Sequence, residues 1–446
     1  MGLRLYNTLT RRLEEFKPLR DVVGIYTCGV TVQGPPHLGH IRAAMTRDIL
    51  VRWLKYLGYK VRSIENFTDV DDKIIKKQEE LNTDWRIIAQ QNINIYLDVC
   101  RNLNILAPDH YPRASQHITE IISLIERLME KGFAYQKNGD VYYRVRKFPN
   151  YGKLSKKSID ELQAGARIEI GELKEDPLDF ALWKSAKPGE PFWLSPWGKG
   201  RPGWHIECSA MSMHYLGESF DIHTGGDDLV FPHHENEIAQ SEGASGKEFV
   251  RFWLHHGMVK LTGEKMSKST GHYFLIEDIL KDFSGNVVRL FLMKTHYRTP
   301  IDFSRERLEE AKLAFMRIKT YLDRHNEEVK DIEPLMWEEF RDALDDDLNT
   351  PRALAVIFEL VNRGYQNDSL EIFFSIKKYL SILGFKEEKR TTDVSPKLVE
   401  IIVDVRNQLR KKKDYELSDG IRKKLNELGI IIDDTKDSSI YRWEVK

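Results

Sequence analysis

The chain has 446 residues, 41% of them apolar, with 68 Lys and Arg against 69 Asp and Glu and a formal net charge of −1. That length supports a large core and about three domains, and nine Trp with eighteen Tyr exclude a disordered chain. Balanced charge excludes a global basic field for nucleic acid, three cysteines exclude a disulfide framework, and neither a signal peptide nor a run of ~20 apolar residues is present, so a cytoplasmic, non-membrane protein is expected.

The first predicted element is a strand over 22–27, followed by a loop through Cys28, Gly29 and Pro35-Pro36. A helix then begins at His37-Leu38-Gly39-His40 and continues to Tyr56, with Ile41, Met45, Ile49 and Trp53 on one face and Gly58 ending it. A second strand is expected over 61–67. Strand, helix and strand with a glycine-bearing first turn open a doubly wound, Rossmann-like parallel sheet, whose ligand belongs at the carboxyl ends of the strands. His37 and His40 sit where free N–H groups and the helix dipole favour phosphate, and Gly39 leaves room for a nucleotide to approach.

Residues 69–135 read as helical, opened by Asp69, Asp71 and Asp72 as capping groups and broken at Pro108 and Pro112. Short strands and turns over 141–200 indicate an insertion in the sheet domain. The sheet is expected to resume at Trp204, with a strand over 220–223, a turn at 224–228, a helix from Pro232 and a strand over 252–259. Gly263 to Gly271, containing Lys265 and Lys268, reads as a flexible cationic loop suited to closing over polyphosphate. A helical bundle spans 304–383, a polar linker 386–396, and the last segment carries Arg406, Arg410, Lys411, Lys412, Lys413 and Arg422 with Tyr441 and Trp443 at its end, a composition that suits unpaired bases.

Cys208, His205, His223, His233 and His234 crowd one region, and Cys28 is the cysteine available upstream. A helix from Pro232 puts His233 and Glu237 on one face. Thiolate, imidazole and carboxylate suit zinc better than magnesium or calcium, and the chain between Cys28 and Glu237 must then fold as one compact unit. Which of the crowded side chains bind metal stays open at this level.

His37-Leu38-Gly39-His40 and Lys265-Met266-Ser267-Lys268-Ser269 resemble the HIGH and KMSKS motifs of class I aminoacyl-tRNA synthetases. The segments 28–29, 66–73, 202–209 and 231–237 resemble the cysteinyl-tRNA synthetase family in particular, and the resemblance spans nearly the whole chain. It departs at Leu38 and in the loop 30–36, which bears on loop shape. The resemblance implies one zinc ion on Cys28, Cys208, His233 and Glu237, holding the substrate thiolate; Gly29, Thr68, Trp204 and His223 around the amino acid; and His37, Gly39, His40, Asp228, Lys265 and Lys268 serving ATP with its Mg²⁺. It also implies L-cysteine and tRNA(Cys) as partners of a monomer. Serine differs from cysteine by one atom, which no steric pocket rejects well, whereas a soft metal prefers thiolate, so no editing domain is needed.

The expected domains are residues 1–130 and 201–303 for the two catalytic halves, 131–200 for the insertion, 304–390 for a helical bundle at the tRNA, and 391–446 for a small anticodon-binding domain. Two other functions share parts of this pattern. A ligase joining cysteine to a small amine would lack the basic, aromatic-tipped end, and a non-catalytic zinc-braced RNA-binding module would not need the ATP motifs.

Overall fold

The computed structural model describes residues 2–158, 161, 174–261, 275–325, 327, 332–387, 395–434 and 439–443. The chain opens with an antiparallel hairpin, β1 (Arg4–Asn7) and β2 (Arg12–Glu15). Next come β3 (Val22–Thr31), α1 (Leu38–Tyr56) and β4 (Lys60–Thr68), the parallel strand-helix-strand unit that a β-branched run, a capped helix start and a second apolar run dictate. Helices α2 (Asp72–Leu81), α3 (Trp85–Asn102) and α4 (Ile118–Glu130) follow. Asp71 caps α2 by accepting from the Lys73 N–H, as its position before the apolar run predicts.

The segment after α4 is an antiparallel sheet in the order β5 (Ala134–Lys137), β6 (Asp140–Tyr143), β7 (Phe180–Ser185), β9 (Gly198–Pro202), β8 (Trp193–Ser195). The chain then re-enters the first sheet through α5 (Trp204–Leu216), β10 (Phe220–Gly226), α6 (Glu235–Ser245) and β11 (Val250–His256). Trp204 therefore opens a helix and not a strand. The side chains of Ile206, Cys208, Ser209, Ala210, Met211 and Ser212 are all buried, so α5 lacks the polar face that marks a helix in sequence.

The central sheet has the order β11-β10-β3-β4 and is parallel throughout, with Ile25 in register with Ile222 on one side and Ser63 on the other. Connections leave β3 toward β4 and later return to its other side at β10. The crevice at the carboxyl ends of β3 and β10 is thus the switch point where such sheets bind ligands.

A short parallel pair, β12 (Val259–Leu261) and β13 (Ile301–Phe303), flanks α7 (Ile276–Asp282) and α8 (Gly285–Met293). Helices α9 (Arg305–Leu322), α10 (Trp337–Asp345), α11 (Thr350–Gln366) and α12 (Leu370–Ile382) complete the first compact unit, Met1–Lys386. Fully buried Asp48 on α1 accepts from Arg289 at 2.5 Å, and Arg289 also donates to the Leu383 carbonyl, joining α1 to the helical region.

The second unit, Glu387–Lys446, contains α13 (Ser395–Lys411), α14 (Tyr415–Glu427) and the hairpin β14 (Ile430–Asp434) and β15 (Ser439–Trp443) around Val399, Val403, Leu425, Ile430 and Ile432. Arg406 is buried here and reaches Asp434 at 2.7 Å, with Arg410 at 2.5 Å and Arg422 at 3.5 Å on the same carboxylate. Part of the basic run is therefore turned to an internal anion, while Lys411, Lys412, Lys413, Lys423 and Lys424 are exposed. Among the described residues, no helix is long and apolar enough to cross a membrane.

Candidate active site and metal centre

The site begins with an irregularity in β3. Its pairing with β4 shifts register between Thr27 and Val30, and Gly29 lies at the shift. A Cβ on Gly29 would stand 1.6 Å from the Asn66 carbonyl oxygen, so the approach requires glycine. The Gly29 N–H donates to Asn66 Oδ1 at 2.9 Å. The bulge sets the buried Cys28 in the switch-point crevice, where α5 brings Cys208 to an Sγ–Sγ distance of 3.6 Å.

From the other side, His233 in the turn before α6 and Glu237 in its first turn converge, with Nε2 3.0 Å from Oε1. Cys28 Sγ is 3.4 Å from the same Oε1. The ligand atoms of Cys28, Cys208, His233 and Glu237 all lie within 4.8 Å of one another, and all four residues are buried. A tetrahedral zinc site with these ligand types has edges of roughly 3.3–3.8 Å, so the two measured sulfur edges suit it and the nitrogen–oxygen edge is slightly short.

A second set, Cys28, His223, His234 and Glu237, also meets within 4.8 Å. Its histidines touch the first set, His234 Nε2 lying 3.3 Å from Cys28 Sγ. His223 Nε2 contacts Glu237 Oε2 at 2.9 Å, and its ring stacks on Trp253 at 4.6 Å. His234 Nδ1 contacts His255 Nε2 at 2.7 Å, and His255 Nδ1 continues to Thr8 Oγ1 at 2.8 Å. His205 does the same for His233, the two Nδ1 atoms lying 2.9 Å apart, which leaves Nε2 of His233 toward the cluster.

Burial works against charge throughout, yet the groups compensate one another. Glu237 is held at about 2 against burial by His223 and His233. His233 is lifted to about 10, burial being outweighed by Cys208 and Glu237. The hydrogen bond from Cys28 lowers Cys208 to about 6, while burial and Cys208 push Cys28 up.

At the start of α1 the two histidines cap each other's turn. His37 Nδ1 accepts from the Gly39 N–H at 3.1 Å and His40 Nδ1 accepts from the His37 N–H at 3.3 Å, with the rings stacked at 3.6 Å. Burial lowers both, His40 to about 3, so both are neutral near pH 7. Because Nδ1 accepts in each, the proton sits on Nε2, giving two N–H donors at a helix amino end. A Cβ on Gly39 would meet the His37 ring at 3.0 Å, so the missing side chain makes room first for that imidazole. Asp228, exposed on the turn after β10, acts electrostatically on His37.

Residues 15–313 match the family model described as tRNA synthetases class I (C) catalytic domain, and 339–368 match a DALR domain. The chain is 48% identical over 459 residues to a cysteine–tRNA ligase of Pseudothermotoga lettingae, covering 99% of both chains. It is 44% identical to that of Thermococcus gammatolerans, again over 99% of each. The chain belongs to the cysteine–tRNA ligase family.

Among solved structures, this ligase-family chain resembles Mycobacterium tuberculosis methionyl-tRNA synthetase in complex with methionyl-adenylate, with TM-score 0.58, 14% identity and coverage of 82% and 90%. A Campylobacter jejuni putative arginyl-tRNA synthetase gives 0.55 at 14% identity, covering 83% and 94%. Both likenesses concern the fold alone.

The ligase thus gathers Cys28, Cys208, His233, Glu237 and His223 in one cluster. Trp204 lies over His233 at 4.4 Å and is 40% exposed, at the cluster's mouth. Thr68 is buried and donates to Glu207 Oε2 at 3.0 Å. Lys265 and Lys268 lie outside the described residues.

Three contributors escape sequence reading. Asn66 accepts from Gly29 and stands 3.7 Å from Cys208 Sγ. His255 supports His234. Arg42 on α1 donates to the carbonyls of Met258, His296 and Tyr297, securing the chain that leads into β12. Asn66 opens the quoted segment 66–73 and Arg42 stands beside the 37–40 motif, which is the only signal they carry.

Proposed function

We propose that this chain is a cysteine–tRNA ligase that joins L-cysteine to tRNA(Cys) through a cysteinyl-adenylate, with a zinc ion on Cys28, Cys208, His233 and Glu237 selecting the amino acid. The convergence of those four donors at the switch-point edge of the sheet that also carries the imidazole-capped end of α1 supports this reading most directly. When bound there, zinc supplies a soft Lewis acid that prefers a thiolate to the hydroxyl of serine.

Trp204 and Thr68 bound the amino-acid pocket, and Glu237, fixed by His223, keeps its carboxylate ionised. The cysteine carboxylate attacks the α-phosphorus of ATP in line, and pyrophosphate leaves with its Mg²⁺. The Nε2–H groups of His37 and His40 donate to the phosphates as charge builds, with Gly39 keeping the turn open and Asp228, Lys265 and Lys268 completing the nucleotide site. A terminal ribose hydroxyl of the tRNA then attacks the adenylate carbonyl, releasing AMP. The DALR region and the second unit serve tRNA binding, and the protein works as a cytoplasmic monomer.

Pyrophosphate exchange with cysteine or serine, with and without a chelator, followed by tRNA charging, tests the proposal. Exchange that needs cysteine and zinc and proceeds to Cys-tRNA is expected. Activation without charging would point to a small-amine ligase, and exchange insensitive to metal removal would end the zinc assignment.

A further inference from the structure

Beyond the metal centre, the carboxyl edge of the sheet carries a second polar cavity. The segment after α3 runs alongside β4, with the Phe67 N–H bonded to the Pro112 carbonyl at 2.8 Å and Phe67 bridged in parallel to Arg113. Val30 is in register with Phe67, so Val30, Phe67 and Arg113 form one row across two strand spacings, about 10 Å. Arg113 is therefore level with the end of β3 that bears Cys28, but on the far side of β4 from the nucleotide crevice. Here a cavity of about 480 Å³ is lined by Asp69, Trp85, Arg86, Gln91, Arg113 and Gln116 among others.

The lining asks for an anion that also has hydrogen-bonding edges. The guanidinium of half-buried Arg113 makes no hydrogen bond or ion pair among the described residues, its carbonyl alone being used, by the Gln116 N–H and the His117 ring. Asp69, a carboxylate that interacts with Arg113 electrostatically, is already held by the N–H of Ser115 at 2.9 Å and by its hydroxyl at 2.5 Å. Arg86 lies over the Trp85 ring at 5.5 Å and 3.5 Å from Asp84, adding a second guanidinium that is exposed, and Gln91 and Gln116 are exposed amide residues. Trp85 in turn meets Trp193 of the inserted sheet edge-on at 6.1 Å, so the cavity lies where the insertion joins the catalytic layer. Asp69 directly follows Thr68, so the cavity adjoins the amino-acid pocket by one residue of chain.

We propose that this cavity receives the unpaired 3′-terminal strand of the tRNA, with a phosphodiester on Arg113 and a nucleotide edge on Gln91 and Gln116; this rests on the tRNA-charging reading above. Guanidinium groups position nucleic acid through phosphate, and amides read splayed bases. A free nucleotide is the weaker occupant because β4 separates the cavity from the end of α1.

The test compares wild type, Arg113→Ala, Arg113→Lys and Gln116→Ala in cysteine-dependent pyrophosphate exchange, in tRNA charging, and in binding of intact tRNA and tRNA trimmed of its 3′-terminal nucleotides across a salt series. Arg113→Ala should raise the KM for tRNA about five- to tenfold, the loss of one charge-assisted hydrogen bond. Its salt slope for intact tRNA should fall by about 0.7, as for one single-strand phosphate. The lysine variant should recover part of the affinity, and trimmed tRNA should bind all variants alike. Unchanged tRNA affinity in an exchange-competent Arg113→Ala enzyme would overturn the proposal, as would an effect that persists on trimmed tRNA or moves only the KM for ATP. Should Arg113→Ala fail to fold, exposed Gln116→Ala carries the same comparison. Loss of cysteine-dependent exchange in the wild type would instead strike the functional reading itself.

Discussion

Gly29 and Asn66 meet backbone to backbone so closely that a methyl group on Gly29 would lie 1.6 Å from the Asn66 carbonyl oxygen. This contact holds the bulge that aims Cys28 at Cys208.

Gly29→Ala must therefore pry β3 from β4. A loss of about 3 kcal/mol is expected, the upper range for overpacking a core, together with a fall in bound metal per chain. Urea unfolding and metal analysis measure the two. Wild-type values for both would mean that the bulge is free to open.

The paired imidazoles predict a pH profile. His40 sits at about 3 and His37 below its ordinary value, both through burial, so the neutral form is the working one. Their contribution is complete at pH 7 and is lost as acidity protonates them, His40 well below the usual histidine value near 6.5 and His37 below it. Exchange rates should show no inflection from His40 between pH 6 and 7, and His40→Asn should lower kcat about 100-fold, as for a lost transition-state donor. An inflection in that window that disappears in His40→Asn would refute the assignment.

Asp434 predicts the acid stability of the second unit. Arg406 first, then Ser439 and Arg410, hold its carboxyl well below the usual range. The sign follows from that depression: the stabilisation is complete above the ordinary pKa near 4 and is lost as pH falls toward the folded-state value. Asp434→Asn should cost about 2 kcal/mol at pH 7 and progressively less in acid. Amide exchange within β14 and α14, followed from pH 7 to 3, measures it, and a pH-independent difference would contradict the mechanism.

The sequence made some of this site legible and hid other parts for physical reasons. Cys28, Cys208 and the four-residue spacing of His233 and Glu237 were visible because metal chemistry restricts residue types and helical geometry restricts spacing. The β3-α1-β4 unit was visible because its apolar period and its cap are local. α5 escapes a periodic reading because its stretch Ile206 to Ser212 is buried on every side and so shows no period. Asn66 acquires its role only from the register of β4 against a bulge in β3, and Arg406 faces inward only because β14 supplies Asp434. Neither relationship exists within a short window of sequence.

Cys28 and Cys208 are separated by 180 residues, with the inserted sheet and α5 built between them. Closing a loop of that length costs about 5 kcal/mol in chain entropy, which the packing of the catalytic layer offsets. During synthesis, Glu237 must leave the ribosome before the four donors can meet. In small zinc domains the ion drives folding, whereas here a large buried core surrounds the four donors. On the proposed assignment, a chain released early would carry His37 and His40 without the complete donor set, so metal retention would report that both halves of the catalytic layer have been made and joined.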